Sequence, residues 1–292
     1  MKYTGPVYRP PLEAQSPLLQ VTVGCAHNKC SYCNMYKEVQ FSTEKLYQIE
    51  KDVIELKQLY GLIPRIFLVN GDAFVLRASK LLDIASIIRK HAPECTTITM
   101  YASIDNIRSK SDEELIALKS AGFNDLYVGI ESGWDHVLER INKGHNRDQA
   151  FTQLQRLNRA GINHITLLMI GVAGAGKGIE NARRTAKFIN ETNPKMIAFS
   201  TLGVFEGTKL WQEREQGSFT EATELEKLEE ELELIQCINV DDVGFFGTHP
   251  TNTVPLLGRL PENRDEMIES IEKAIANDIY GNLNSISVRA TL

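Results

Sequence analysis

No apolar run in this 292-residue chain approaches the ~20 residues that cross a bilayer, and its opening, MKYTGPVYRPPLEAQSPLLQ, lacks the apolar centre of a secretory signal. A cytoplasmic protein with no membrane partner is expected. Basic charge is also in short supply: 32 Lys and Arg stand against 38 Asp and Glu, a net charge of −6. Affinity for nucleic acid is built on cations that neutralise phosphates, so this balance argues against nucleic acid as a partner. Cysteines are few and odd in number, five in all, which does not suggest a disulfide framework in a chain of this length. Low-complexity segments and repeats beyond a βα unit are missing too. What remains is ordinary globular composition, 42% apolar and 24% charged, enough to bury a core.

Six short apolar or β-branched runs, at 18–23, 65–69, 97–101, 125–130, 164–170 and 196–201, read as strands. Helical patterns fill the gaps at 43–60, 76–91, 111–121, 135–142, 147–160 and 178–192, several closed by a glycine as in AGF, NKG and AGI. This alternation predicts an α/β fold with a parallel sheet of right-handed βαβ units, either doubly wound or curled toward an incomplete (β/α)6 barrel. In both, functional residues lie just after strand C-termini. From residue 206 the pattern changes to a charged helix at 220–237, a Gly/Pro/Asn-rich loop at 241–261 and a last helix at 262–277. The helix is too short for a coiled coil and is expected to carry one solvated face. The expected organisation is therefore a core over 1–205 and an α-helical and loop extension over 206–292 covering the barrel mouth. In that extension His249 and Asn252 are candidate pocket residues.

The strongest motif is VTVGCAHNKCSYCNMYK, in which a strand runs into Cys25-x4-Cys30-x2-Cys33. Thiolates packed so closely need a soft cation. Three options are open from spacing: zinc with His27 or a distant cysteine as fourth ligand, a two-iron cluster completed by a later cysteine, or a four-iron cluster with one iron left for a ligand. Cys95 and Cys237 stand apart and read as isolated thiols. A second motif, Gly171-x4-Gly176-Lys177, nearly matches a phosphate-binding loop, but Gly178 stands where Ser or Thr would hold magnesium. Its backbone amides at a helix start are left as a candidate anion site.

A strand ending in a three-cysteine loop, with Tyr32 before the last cysteine and βα repeats following, resembles the radical S-adenosylmethionine (SAM) superfamily. The likeness covers roughly residues 15 to 210 and is to coproporphyrinogen-oxidase-like members; the extra residue between Cys25 and Cys30 departs from the family's usual C-x3-C-x2-C. The resemblance favours the partial barrel and implies a 4Fe–4S cluster on Cys25, Cys30 and Cys33. Asn70-Gly71-Asp72 looks like the family's turn that holds the methionyl ammonium. Glu131 and Ser103 correspond to ribose contacts, and Lys143 to a carboxylate contact where the family typically carries Arg. Met169, Ile170 and Gly171, with Tyr32 and Val204, correspond to an adenine slot. The activity so implied is reductive cleavage of SAM to a 5′-deoxyadenosyl radical that takes hydrogen from a small-molecule substrate, with an electron donor such as flavodoxin or ferredoxin. The alternative is a non-catalytic iron–sulfur or zinc protein serving electron transfer, structure or SAM sensing.

Overall fold

The computed structural model describes residues 1–278 and 282–289; the remaining residues of the expected extension, 279–281 and 290–292, lie outside the described residues. In chain order the strands and helices are β1 (Leu18–Gln20), β2 (Thr22–Val23), β3 (Ser42–Thr43), α1 (Leu46–Tyr60), β4 (Arg65–Val69), α2 (Ala78–His91), β5 (Thr97–Ala102), α3 (Ile104–Arg108), α4 (Asp112–Ser120) and β6 (Phe123–Glu131). They continue with α5 (Asp135–Arg140), α6 (Arg147–Ala160), β7 (Asn163–Ile170), α7 (Gly178–Thr192), β8 (Met196–Thr201), α8 (Lys209–Glu215), α9 (Glu224–Cys237), β9 (Val243–Gly247), β10 (Leu256–Leu260) and α10 (Arg264–Ala276). The expected α/β class is borne out, with a mostly parallel sheet of eight strands.

The chain divides into two compact units. Unit 1 comprises Met1–Asn28, Met35–Gly129 and Thr152–His164. Within it β1, β4, β5 and β6 pair in parallel in that order, and β2 and β3 form a separate antiparallel pair. The parallel strands are apolar on both faces, as a sheet covered on both sides requires: Ile66, Phe67, Leu68 and Val69 of β4 are all buried. Unit 2 comprises Lys29–Asn34, Ile130–Phe151 and the chain from Ile165 onward. There β7, β8 and β9 are parallel, and β10 closes the edge antiparallel to β9.

Local chemistry sets the helix boundaries. Ser111 and Thr223 each accept from the third helical N–H while Glu114 and Glu226 reach back, so α4 and α9 both begin at capping boxes. Gly122 and Gly161 turn the chain out of α4 and α6 with positive φ, as the AGF and AGI signals predict.

One reading of the C-terminal region is corrected and another is narrowed. The stretch 241–261 holds β9 and β10, whose short runs GFF and LLGRL are obscured in sequence by the turn residues between them. The charged helix α9 keeps the expected solvated side, where Glu229 is exposed, but not all of its charges lie there: Glu224, Lys227, Glu230 and Glu231 are buried.

Candidate functional site

The residues singled out by sequence lie partly in each unit, after strand C-termini. In unit 1, β4 delivers the turn Asn70-Gly71-Asp72. The Asn70 N–H donates to Thr22 Oγ1 at 3.0 Å, while both polar atoms of its fully buried side chain lack a hydrogen-bond partner. Gly71 lies flat against the Tyr36 ring, where an added Cβ would come 3.1 Å from Cζ and closer still to Cε2. The Asp72 carboxylate is buried and accepts from Asn106 Nδ2. Ser103 caps α3, accepting the Asn106 N–H at 3.3 Å.

Two residues of this cluster escaped the sequence reading. Asn106 carries no motif signal and is placed by the structure alone, one turn from the Ser103 cap. Lys110 is buried, donates to the Phe74 carbonyl at 2.7 Å and to the Asn106 carbonyl at 3.1 Å, and lies 4.1 Å from the Phe74 ring centroid. Burial pulls its pKa down to about 8, against the opposing pull of Asp72. Cys25 also belongs to unit 1.

In unit 2 the segment with Cys30 and Cys33 is fixed through its middle. Ser31 donates its N–H to the Ile141 carbonyl at 2.8 Å and its hydroxyl to the Arg140 carbonyl at 3.0 Å, and its own carbonyl takes the Leu210 N–H at 2.9 Å. Cys30, Cys33 and Val204 pack against an apolar cluster that includes Tyr32 and Met169, while Ile170 is buried at the end of β7. The expected adenine-slot side chains Tyr32, Met169 and Val204 thus share one patch.

Glu131 ends β6 in the left-handed region, φ 68°, which is costly for a residue with a long side chain. That backbone turns a buried carboxylate toward Lys143 Nζ at 2.7 Å, with the Tyr32 hydroxyl close enough to feel its charge. Burial pushes the Tyr32 hydroxyl well up, and the negative groups Glu131, Cys30 and Cys33 push it further. Burial alone would depress Lys143; the attraction of Glu131, with Cys30 and Cys33 adding to it, overrides this and holds the ammonium charged.

The Gly171 turn corrects a further expectation. Its amides are not an open anion site, because α9 supplies carboxylates to them: Gly171 N–H donates to Glu230 at 2.9 Å and Gly176 N–H to Glu226 at 2.7 Å. Gly171 has φ 81°, and a Cβ there would meet the Lys227 stem at 3.1 Å. In the 241–261 stretch, Asn252 donates to the Phe199 and Gly247 carbonyls and accepts from the Thr201 hydroxyl, so it staples β8 to β9. His249 Nδ1 faces the Thr251 hydroxyl at 2.7 Å, and burial lowers its pKa. Cys95 is buried, and burial raises its thiol to about 11, as suits an inert thiol.

Among the described residues no three His, Cys, Asp or Glu side chains are gathered as a metal-ligand group. The donor chemistry nevertheless suits a sulfur-ligated cluster: three thiols within nine residues, none in a disulfide. The orphaned Asn70 amide, in a turn that excludes a Cβ, suits a polar ligand group.

Among curated proteins, the chain is 30% identical to the heme chaperone HemW of Bacillus subtilis over 172 residues, covering 56% of this chain and 44% of that protein. It is 24% identical to the tRNA uridine(34) acetyltransferase of Methanocaldococcus infernus over 200 residues, covering 63% and 37%. The chain thus spans less than half the length of these relatives. Among solved structures, methylornithine synthase superposes with a TM-score of 0.55 at 15% identity, covering 94% of this chain and 83% of that one. Coproporphyrinogen III oxidase of Escherichia coli, a radical SAM enzyme, gives 0.54 at 15%, covering 76% and 50%. At such identities these likenesses show the fold, which is that of the partial-barrel radical SAM proteins. Membership rests on the sequence: the model of the radical SAM superfamily matches residues 19–189, more than half of the chain, and the chain belongs to that superfamily.

Proposed function

We propose that this protein binds a 4Fe–4S cluster through Cys25, Cys30 and Cys33 and uses it to cleave SAM reductively. When bound, the cluster supplies one electron to SAM, releasing methionine and a 5′-deoxyadenosyl radical that takes a hydrogen atom from a small-molecule substrate. The chain's own residues bind and orient. Asp72 offers the methionyl ammonium a carboxylate. Lys143 neutralises the methionyl carboxylate as a point charge, without the fork an arginine would bring. Glu131 and Ser103 face the ribose hydroxyls, and Tyr32, Met169, Ile170, Gly171 and Val204 give the adenine an apolar slot with a glycine edge. The electron comes from a donor such as flavodoxin or ferredoxin.

The observation that carries this reading is the largely buried Tyr32–Glu131–Lys143 group. A glutamate in the left-handed region is paired with Lys143, with Tyr32 of the cysteine loop near enough for its hydroxyl to feel the same carboxylate, so three residues expected to touch one cofactor lie together. The test is anaerobic reconstitution with iron and sulfide, followed by dithionite and SAM, with 5′-deoxyadenosine measured by mass spectrometry. The product is expected in the wild type and absent in Cys30→Ala; a colourless protein with stoichiometric zinc would refute the assignment. The 30% identity to a protein named as a heme chaperone supports a second, non-catalytic reading, an iron–sulfur protein that does not turn SAM over. Its signature is a retained cluster with no 5′-deoxyadenosine.

A further inference from the structure

Glu230 belongs to no motif and lies beyond residues 19–189, the part of the chain the family model matches. It is 1% exposed, and both carboxylate oxygens are engaged: Oε2 accepts the Gly171 N–H at 2.9 Å and Oε1 accepts Asn181 Nδ2 at 2.7 Å. Asn181 does not end the chain of bonds. Its amide oxygen accepts the Ser132 hydroxyl at 2.5 Å, and Ser132 Oγ in turn accepts the Trp134 N–H at 3.0 Å. The adjoining Gly133 N–H donates to Thr185 Oγ1 at 2.9 Å, one turn along α7 from Asn181. Ser132 directly follows Glu131, whose carboxylate pairs with Lys143.

One buried carboxylate on α9 therefore ties the turn after β7 to the loop after β6. Burying a carboxylate is expensive unless every oxygen is bonded, and replacing it would leave the Gly171 and Asn181 donors unpaired. Gly171 adds a backbone part: its φ of 81° lies in the region that favours glycine, and a Cβ there would crowd the Lys227 stem of the same helix at 3.1 Å. The two loops so joined carry Glu131 on one side and Gly171 on the other, the proposed ribose and adenine contacts.

Resting on the proposed SAM-binding role, we infer that Glu230 is a positioning residue that sets the adenosine half of the SAM site through Gly171, Asn181 and Ser132, without touching the cofactor. Cluster assembly on the cysteine loop does not depend on it. SAM affinity and iron content should therefore separate, which a general loss of folding would not produce.

The experiment measures the SAM dissociation constant by anaerobic equilibrium dialysis on reconstituted wild type, E230A, E230Q, S132A and the S132A/E230A double variant, with iron per chain determined on the same samples. E230A is expected to weaken SAM binding on the order of tenfold, as for loss of hydrogen bonds to a charged group. E230Q should fall between, since an amide keeps one acceptor but sets its NH2 against a donor. Iron per chain should stay at the wild-type value. S132A, a mild change at the far end of the network, should weaken binding and add little once Glu230 is gone. Affinity in E230A within twofold of wild type, additive effects in the double variant, or iron lost in step with SAM would each overturn the inference. A wild type that retains iron but no SAM would overturn the proposed function together with it.

Discussion

At the scale of single residues, the site is built from groups whose neighbours leave few substitutes. Gly71 meets the buried Tyr36 ring so closely that even alanine must displace it. Gly71→Ala should cost about 1–3 kcal/mol, the usual range for overpacking, read as a lower midpoint in chemical denaturation. Lys143 is different, since its loss removes a partner rather than space. Lys143→Met would strand the Glu131 carboxylate, whose side chain is 9% exposed, and should destabilise the fold by roughly 3 kcal/mol at neutral pH. Lys143→Arg should recover most of that stability, so a melting series over Lys, Arg and Met separates charge from shape. These residues were legible unevenly. Cys25, Cys30 and Cys33 announce themselves by spacing, because little else crowds three thiols on one loop. Glu131 and Lys143 were visible as strand-end and helix-end residues, but their pairing was not, since it depends on the left-handed turn at Glu131. Asn106, Lys110 and Glu230 were invisible, because the contacts that place them at the site, with Asp72, Phe74 and Gly171, are distant in sequence.

At the scale of elements, α9 shows why charge alone misleads. EATELEKLEEELELI reads as a solvated acidic face, yet the helix spends Glu224, Glu226 and Glu230 within unit 2 on backbone amides and on Lys227, Asn181 and Arg289. Two acids of the helix should answer pH in opposite senses. Burial and the adjacent Glu230 push Glu231 well above the ordinary carboxylate range, and its Oε1 has no partner. An acid whose folded pKa is raised holds its proton in the native state where the unfolded chain has released it, so its penalty is absent below about pH 4.5 and grows as pH rises. Glu231→Gln should therefore stabilise the protein at pH 8 by about 1 kcal/mol or more and change little at pH 4.5. For Glu224, burial is outweighed by hydrogen bonds from Arg289 and Thr253 and by Lys227, which bring its pKa down to about 2. Its contribution is present above about pH 4.5 and lost as pH falls toward 2, so Glu224→Gln should destabilise at pH 7 and approach wild type in acid. Urea midpoints across that range for both variants check the signs. The strands and longer helices of the βα alternation were readable because apolar runs and capping residues are local signals; β9 and β10 were not, because a five-residue strand between turn residues gains its identity from the neighbour it pairs with.

At the scale of the whole chain, the question is whether metal supports the fold or only the chemistry. A structural zinc site closes a small domain that has no core of its own, and removing the metal unfolds it. Here both units have extensive apolar interiors: Leu19, Phe67, Leu68 and Phe123 in unit 1, Ile197, Ile235, Phe245 and Ile271 in unit 2, each no more than 1% exposed. Cys25, Cys30 and Cys33 lie outside every strand and helix, on a loop whose Ser31 is already held by backbone partners around Arg140, Ile141 and Leu210. Stability so distributed does not wait for a ligand. Stripping iron from reconstituted protein with chelator and oxidant should abolish the broad absorption near ~400 nm of an iron–sulfur centre while leaving the far-ultraviolet circular dichroism unchanged. The melting temperature should fall only by the linkage of cluster binding to the native state. Collapse of the dichroism along with the colour would instead make the thiol loop a structural staple, and the case for a catalytic centre would then have to rest on SAM turnover alone.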